Sequence, residues 1–387
     1  MTGGGPTVLV IGGGIVGTAA AAFLAEAGAR VTLIEREGLA SGASGANSGV
    51  VQHPFDPAMA VLYRETVALY RTLSEADAGF AIAPEPAGLL YISADERAVR
   101  SVDGSIAALF PELDREVLSG SRLQRVEPAL APGLAACRVG IGFPVQPGAS
   151  TYAYATLAER HGARIRLGRE ALLHRRGDQV LGVVLNGAVI AADAVLIAAG
   201  PESSELIDPT GAWRPIRPRW GVVVEAEFPR GLTHVLEEAE IGAVIGVVPG
   251  DDSVAGANHT VVDVDGAVED FSLVPLGGLA SVGSTFLPDR PDPAAWVERL
   301  LSRASRFVPA LANAPIRGTR SCPRPQSLDG RPLIGAIPGS EGLFICAGHG
   351  SWGLSTGPAS ARLIVDQILG RAQAIPAEFE PARFGTP

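Results

Sequence analysis

The chain has 387 residues, room for two domains with large cores. Its formal charge of −10, with no basic patch, excludes nucleic acid as the expected partner. All 31 basic residues are arginine, which excludes a Schiff-base lysine and a P-loop lysine.

The first predicted elements form a βαβ unit. An apolar run, VLVI (residues 8–11), leads into Gly12-x-Gly14-x-x-Gly17. An alanine-rich helix opens with Ile15 and Val16 and closes near Gly28, and a second apolar run (31–34) ends on Glu35. This pattern holds the pyrophosphate of a dinucleotide. Gly12 allows the tight turn, Gly14 lets the backbone approach the pyrophosphate, and Gly17 lets helix and strand pack closely. The helix N-terminus supplies N–H groups and positive dipole. Glu35 is placed to accept both ribose hydroxyls.

Residues 36–53 are small, polar and glycine-rich, where a nicotinamide-type domain would return to a helix and third strand. Backbone N–H groups and the hydroxyls of Ser41, Ser44 and Ser48 suit an extended cofactor; a plain surface loop is the alternative. His53 follows the loop and is a candidate for cofactor or substrate contact, with packing as the alternative. Pro84-x-Pro86 and Pro144-x-x-Pro147 are breakers. Residues 221–228 (GVVVEAEF) read as a half-buried strand of an antiparallel sheet. Trp296, Leu300, Ala304, Phe307 and Leu311 recur at helical spacing, a stripe read as core packing.

Four separated segments resemble the flavin-dependent amine and 2-hydroxy-acid oxidoreductases typified by glycine oxidase, D-amino acid dehydrogenase and sarcosine oxidase. They are residues 12–35; SGASGANSG (41–49), similar to the family's flavin-wrapping loop; DAVLIAAG (193–200), similar to its later strand ending at the cofactor; and the C-terminal pair RPQSLDGRPLIG (324–335) and LFICAGHGSWG (343–353). They occur in the family's order and span nearly the whole chain.

The resemblance implies FAD and an α/β fold. A Rossmann-like FAD-binding domain (1–84, 142–212 and 322–387) is interleaved with an α+β substrate domain on a mostly antiparallel sheet (85–141 and 213–321). It places Gly12, Gly14, Ile15, Val16, Gly17, Glu35 and Arg36 at the cofactor. Ser41, Ser44, Gly45, Asn47, Ser48, Gly49, Val50 and Val51 would wrap it. Ala171, Ala199 and Gly200 would join them, with Gly348, Gly350, Ser351, Gly353, Leu354 and Ser355 around the last helix.

Arg324, His349 and Trp352 are the candidate catalytic residues. In amino-acid oxidases resembling this chain, an arginine at the position of Arg324 pairs with the substrate carboxylate through two parallel hydrogen bonds. A salt bridge to an acid such as Asp329 is the alternative. His349 reads as a local hydrogen-bonding group rather than a base. Trp352 walls the substrate pocket or packs the helix. Glycine-oxidase-like relatives carry a tyrosine and an arginine where DFSLVPL (270–276) has Ser272 and Leu276. That departure favours a substrate larger or less polar than glycine.

Cys322 lies where sarcosine-oxidase-like enzymes attach FAD through a thioether, and Arg320 or Arg324 would lower its pKa. Pro323 and Arg324 are closer to the non-covalent enzymes, so non-covalent FAD is expected, with a link at Cys322 as the alternative. Those relatives also activate oxygen with a lysine, so here oxygen or another electron acceptor is expected.

The leading reading is oxidation of the C–N bond of an amino acid or N-alkyl amino acid, with hydride passing to flavin N5. The alternatives are a 2-hydroxy-acid oxidase or dehydrogenase and a flavin-bound protein without turnover. The partners are then a small amino or hydroxy acid and an electron acceptor; oligomeric state, a homo-oligomer included, stays open. No apolar run reaches the roughly 18 residues that span a bilayer. With the first strand near Val8 leaving no room for a signal peptide, a cytoplasmic protein is expected. Cys137, Cys322 and Cys346 form no metal or redox motif. His53, His161, His174, His234 and His259 have no metal-ligand spacing.

Overall fold

The structure, a computed structural model, describes residues 5–228, 232–239, 268–371 and 374–387. His259 lies outside the described residues.

The first apolar run forms the strand Thr7–Ile11, paired in parallel with Ala194–Ile197 on one side and Arg30–Ile34 on the other. The complete sheet runs Leu333–Ala336, Leu343–Ala347, Ala194–Ile197, Thr7–Ile11, Arg30–Ile34, Arg164–Arg166. Only the Leu333–Ala336 edge is antiparallel. Alternation along the strand sorts the side chains. Val8 and Val10 pack with the helices Ile15–Glu26, Pro57–Glu75, Ala149–Arg160 and Gly353–Ile368. Leu9 and Ile11 pack with the three-stranded sheet Ala171–Arg176, Gln179–Leu185 and Ala188–Ala191. Both faces are covered, which is why these strands read as unbroken apolar runs.

A second sheet runs Ile316–Ser327, Ile216–Glu227, Leu279–Phe286, Val268–Leu276, Val235–Glu238, Leu89–Ser93, Ala135–Val139, Arg115–Ser119. Its pairings are antiparallel except that of Val235–Glu238 with Leu89–Ser93. The fold is thus the expected α/β class, a parallel sheet interleaved in sequence with a mostly antiparallel one. The boundary expected at 321/322 falls inside the unbroken strand Ile316–Ser327.

Residues 221–228 differ from the half-buried expectation. Val222, Val224 and Ala226 pack with the helix Val297–Phe307, while Val223 lines a large cavity on the other face. With both faces covered, Val222, Val223 and Val224 are all buried. The helical stripe is core as expected: Leu300, Ala304, Phe307 and Leu311 are buried beside those valines. Among the described residues no helix is long and apolar enough to cross a membrane, and no group of His, Cys, Asp and Glu could hold a metal.

His53 is not a cavity residue. It is 2% exposed, in a cage of Phe55, Tyr63 and Phe110 with ring centroids 5.5, 5.0 and 4.8 Å away. Burial, aided by Arg64, pushes its pKa down to about 4. The unfolded chain therefore binds a proton here between pH 6.5 and 4 that the folded chain refuses, and stability is lost as pH falls through that window. His53→Phe keeps the aromatic packing and removes the titration. Denaturant titrations at saturating FAD are expected to show an acid-side slope shallower by about 1.4 kcal/mol per pH unit; an unchanged slope would refute the assignment.

Candidate active site

Residues from both sheets line one continuous cavity of about 1010 Å³. Its narrowest construction is at the glycines. A Cβ on Gly12 (φ +116°) would meet the Ala198 carbonyl at 2.3 Å, and one on Gly17 would meet the Gly12 carbonyl at 2.0 Å. Only glycine lets the turn, the helix and the neighbouring strand meet so closely. The helix Ile15–Glu26 has no cap from Gly14; Ser44 Oγ accepts from the Ile15 N–H at 2.9 Å instead. Gly12, Gly14, Ile15 and Val16 line the cavity, so the positive end of the helix dipole faces it. Gly17 stands behind them as packing.

Glu35 lines the cavity with both oxygens already oriented. Oε2 accepts from the Gly13 N–H at 2.7 Å and Oε1 from the Glu37 N–H at 2.8 Å, leaving a lone pair on each. Arg36 also lines the cavity and pairs with Glu202 at 2.8 Å. From the loop, Ser41, Ser44, Ser48, Gly49 and Val50 reach the lining. Asn47 does too, but its side chain is used within the loop: Nδ2 donates to the Ala43 and Ser44 carbonyls, and Oδ1 accepts from the Gly49 N–H. Gly45 and Val51 lie behind it, Gly45 against the Ala40 carbonyl and Val51 in the core. Ala171, Ala199 and Gly200 line the cavity, as do Gly350, Ser351, Gly353, Leu354 and Ser355. Gly348 does not; it packs against Leu333 and Ile216.

Cys322 and Arg324, two apart on one strand, present side chains to the same cavity. The Arg324 guanidinium crosses Gly221 of the neighbouring strand, where a Cβ would lie 2.4 Å from Nη1. Nη1 donates to the Thr285 carbonyl at 2.7 Å, Nη2 donates to Ser284 Oγ, and the group lies 4.3 Å from the Phe286 ring centroid. Asp329, its expected alternative partner, is instead paired with Arg383 at 2.6 Å. A guanidinium has five N–H groups, so donors remain for a ligand.

Asp270 is 6% exposed and accepts from the Ser284 N–H at 2.8 Å. Burial raises its pKa to about 6, with Arg324 pulling the other way. Glu237 is raised further, to about 8, by burial and then by the charge of Asp270. His349 is 2% exposed and its Nε2 has no partner among the described residues. Burial lowers its pKa to about 4, so it is neutral at pH 7. Trp352 both lines the cavity and joins the core. The buried Cys322 thiol departs from the expected activation: Arg324 and Arg320 pull its pKa down, but burial outweighs them and pushes it up. Arg320 is moreover paired with Glu225.

A family model described as FAD dependent oxidoreductase matches residues 7–367. The chain belongs to this family. It is 29% identical over 400 residues to the glycine oxidase of Pseudomonas aeruginosa, with 97% of this chain and 98% of the relative covered. It is 26% identical to the D-amino acid dehydrogenase of Rhizorhabdus wittichii, covering 95% and 97%. The solved glycine oxidase of Bacillus cereus has a TM-score of 0.79 at 25% identity, covering 95% of this chain and 96% of that one. This family member is therefore an FAD-dependent enzyme.

The residues fit that cofactor. A helix N-terminus whose first N–H is met by the Ser44 hydroxyl, Gly12 with no room for a methyl group, an oriented Glu35 and the buried His349 all line one cavity. Sequence reasoning missed Gly221, Ser284, Phe286, Gln52, Glu237 and Asp270, which also form or shape this cavity. Asp270 stood in a stretch read only for its absent tyrosine and arginine. The others carry no local signal, since only strand pairing brings them together.

Glu35→Ala is expected to weaken FAD by about 1–3 kcal/mol, the loss of charge-assisted hydrogen bonds, measured by titrating apoprotein with FAD; unchanged affinity contradicts the assignment. With a protonated Cys322 thiol, acid precipitation is expected to give a colourless pellet and yellow supernatant. A yellow pellet that turns colourless in Cys322→Ala would show a thioether instead.

Proposed function

We propose that the enzyme oxidises the C–N bond of an amino acid or N-alkyl amino acid. The observation that carries this reading is Arg324: a fixed guanidinium beside the candidate flavin residues, with donors left over for a carboxylate. When bound, FAD would supply the two-electron acceptor for the hydride leaving the substrate carbon.

The chain's own groups do the rest. Gly12, Gly14, Glu35 and the Ser41–Val50 stretch hold the cofactor, and Ala171, Ala199, Gly200 and the residues from His349 to Ser355 complete its setting. Arg324 binds and orients the carboxylate, which fixes the neighbouring carbon. Trp352 and Phe286 exclude water from the reacting end. His349, neutral and buried, offers a hydrogen bond rather than a proton-transfer couple. The N-terminus of Gly353–Ile368 favours negative charge developing beside it. Ser272 lines the cavity, and being smaller than a tyrosine it leaves space for a substrate with a side chain. The reading keeps FAD non-covalent, the interleaved division 1–84, 142–212, 322–387 against 85–141, 213–321, and a cytoplasmic setting.

Anaerobic mixing with amino acids, N-methyl amino acids and 2-hydroxy acids is expected to bleach the flavin with the first or second group, releasing ammonia or an amine. Bleaching by hydroxy acids alone would replace this reading; no bleaching by any would indicate a flavoprotein without turnover. Arg324→Lys loses the two-pronged contact and is expected to raise KM by a factor equivalent to about 2–5 kcal/mol with FAD retained. Gly221→Ala, which pushes on the same guanidinium, is expected to raise KM in the same direction. Unchanged KM in both variants would assign Arg324 to structure alone.

A further inference from the structure

Two carboxyl groups in the cavity wall play no part in holding a substrate carboxylate. Asp270 is well provided for, with the Ser284 N–H at 2.8 Å and with Arg324 and Arg303 nearby. Glu237, in the strand Val235–Glu238, is not. It lines the cavity, with the neutral Gln52 and Tyr91 as hydrogen-bonding neighbours of its carboxyl. The groups around it are Asp270, Gln52 and Tyr91, none of them cationic. Tyr91 is fully buried, its hydroxyl beside the Glu237 carboxyl and Gln52. A carboxyl so placed holds its proton, at a pKa of about 8. Among the described residues, what its surroundings lack is a positive charge.

The sheet sets the spacing. The Arg324 guanidinium reaches over Gly221 to Ser284 and Thr285, in the strand Leu279–Phe286. The strand Val268–Leu276 is next, and Val235–Glu238 the one after. Ser272 pairs with Gly283 on one side and with Glu237 on the other. Two strand spacings put Glu237 roughly 10 Å from the guanidinium. A short carbon chain with a carboxylate at one end and a cationic nitrogen at the other fits between them.

We propose that Glu237 is a specificity-determining residue that receives the cationic end of the substrate, and that the substrate is an amino acid with a basic side chain. Its carboxylate lies on Arg324 and its side-chain ammonium or guanidinium on Glu237. This rests on the amino-acid reading above and adds the side-chain class. A second carboxylate here would face Glu237 and Asp270 together. An apolar side chain would bring no charge to meet the acid. A cation satisfies the acid and lets it ionise as half of a buried pair.

The FAD-loaded enzyme can be titrated with β-alanine, γ-aminobutyrate, δ-aminovalerate and ε-aminocaproate, and with propionate, butyrate, valerate and caproate. Binding is read from the flavin absorption shift and from thermal stability, without turnover. At least one amino carboxylate is expected to bind on the order of ten-fold tighter than its unsubstituted counterpart. Glu237→Gln is expected to erase that difference while keeping FAD and the affinity for the unsubstituted acids. Equal affinities in the unmodified enzyme, or a preference that survives in Glu237→Gln, overturn the proposal; should that variant fail to fold, the unmodified enzyme decides alone. In the anaerobic screen, bleaching by neutral but not basic amino acids overturns this inference and leaves the amino-acid reading standing. Bleaching by no amino acid overturns both.

Discussion

Three backbones meet at Gly12 and Gly17 without space for a methyl group. The turn after the first strand touches the end of the Ala194–Ile197 strand, and the first helix touches the turn. Everything at the cofactor end follows from that contact. It aims the helix N-terminus into the cavity and brings Glu35 beneath the Gly13 N–H. It also lets the Ser44 hydroxyl sit over the Ile15 N–H, so the loop is tied to the helix it covers. A side chain at either glycine would push the helix off the sheet, and the dipole, the loop and the acid would lose their common target.

The other end of the cavity is built by a different rule. A single arginine is laid across a glycine of the adjacent strand and fastened to Ser284 and Thr285. Arginine keeps its charge at any physiological pH and has more donors than two protein contacts consume. Fastening thus fixes its direction without exhausting it. In a chain without lysine, no other side chain supplies a permanent cation here as a point charge, and arginine's planar fork suits a carboxylate better than an ammonium would. Asp270 and Glu237 then grade the charge along the wall, from a cation through a compensated acid to an uncompensated one.

Burial decides the protonation of nearly every titratable group near the site. It keeps His349 neutral, holds the Cys322 thiol protonated despite two arginines, and raises both acids. The same dry surroundings that perturb these groups strengthen any hydrogen bond or ion pair a ligand makes with them. Order in the cavity and selectivity for its occupant therefore have one physical source.

The nucleotide end was legible in the sequence because its parts are local. Glycines at fixed offsets, an apolar run on either side and an acid at the end of the second strand are one continuous βαβ unit, and its chemistry follows from that order alone. The parallel strands, buried on both faces, likewise declared themselves as apolar runs. Arg324 could be named from its motif, but not its surroundings. Gly221, Ser284, Asp270 and Glu237 lie on four different strands, and strand pairing, not sequence distance, makes them neighbours. Asp329 was the nearer acid in the chain, yet its partner is Arg383. His53 followed the flavin loop directly, yet it turned into an aromatic cage. Periodicity tells which face of an element is apolar; only the register of the sheet decides which polar groups share a wall, and only burial decides their charge.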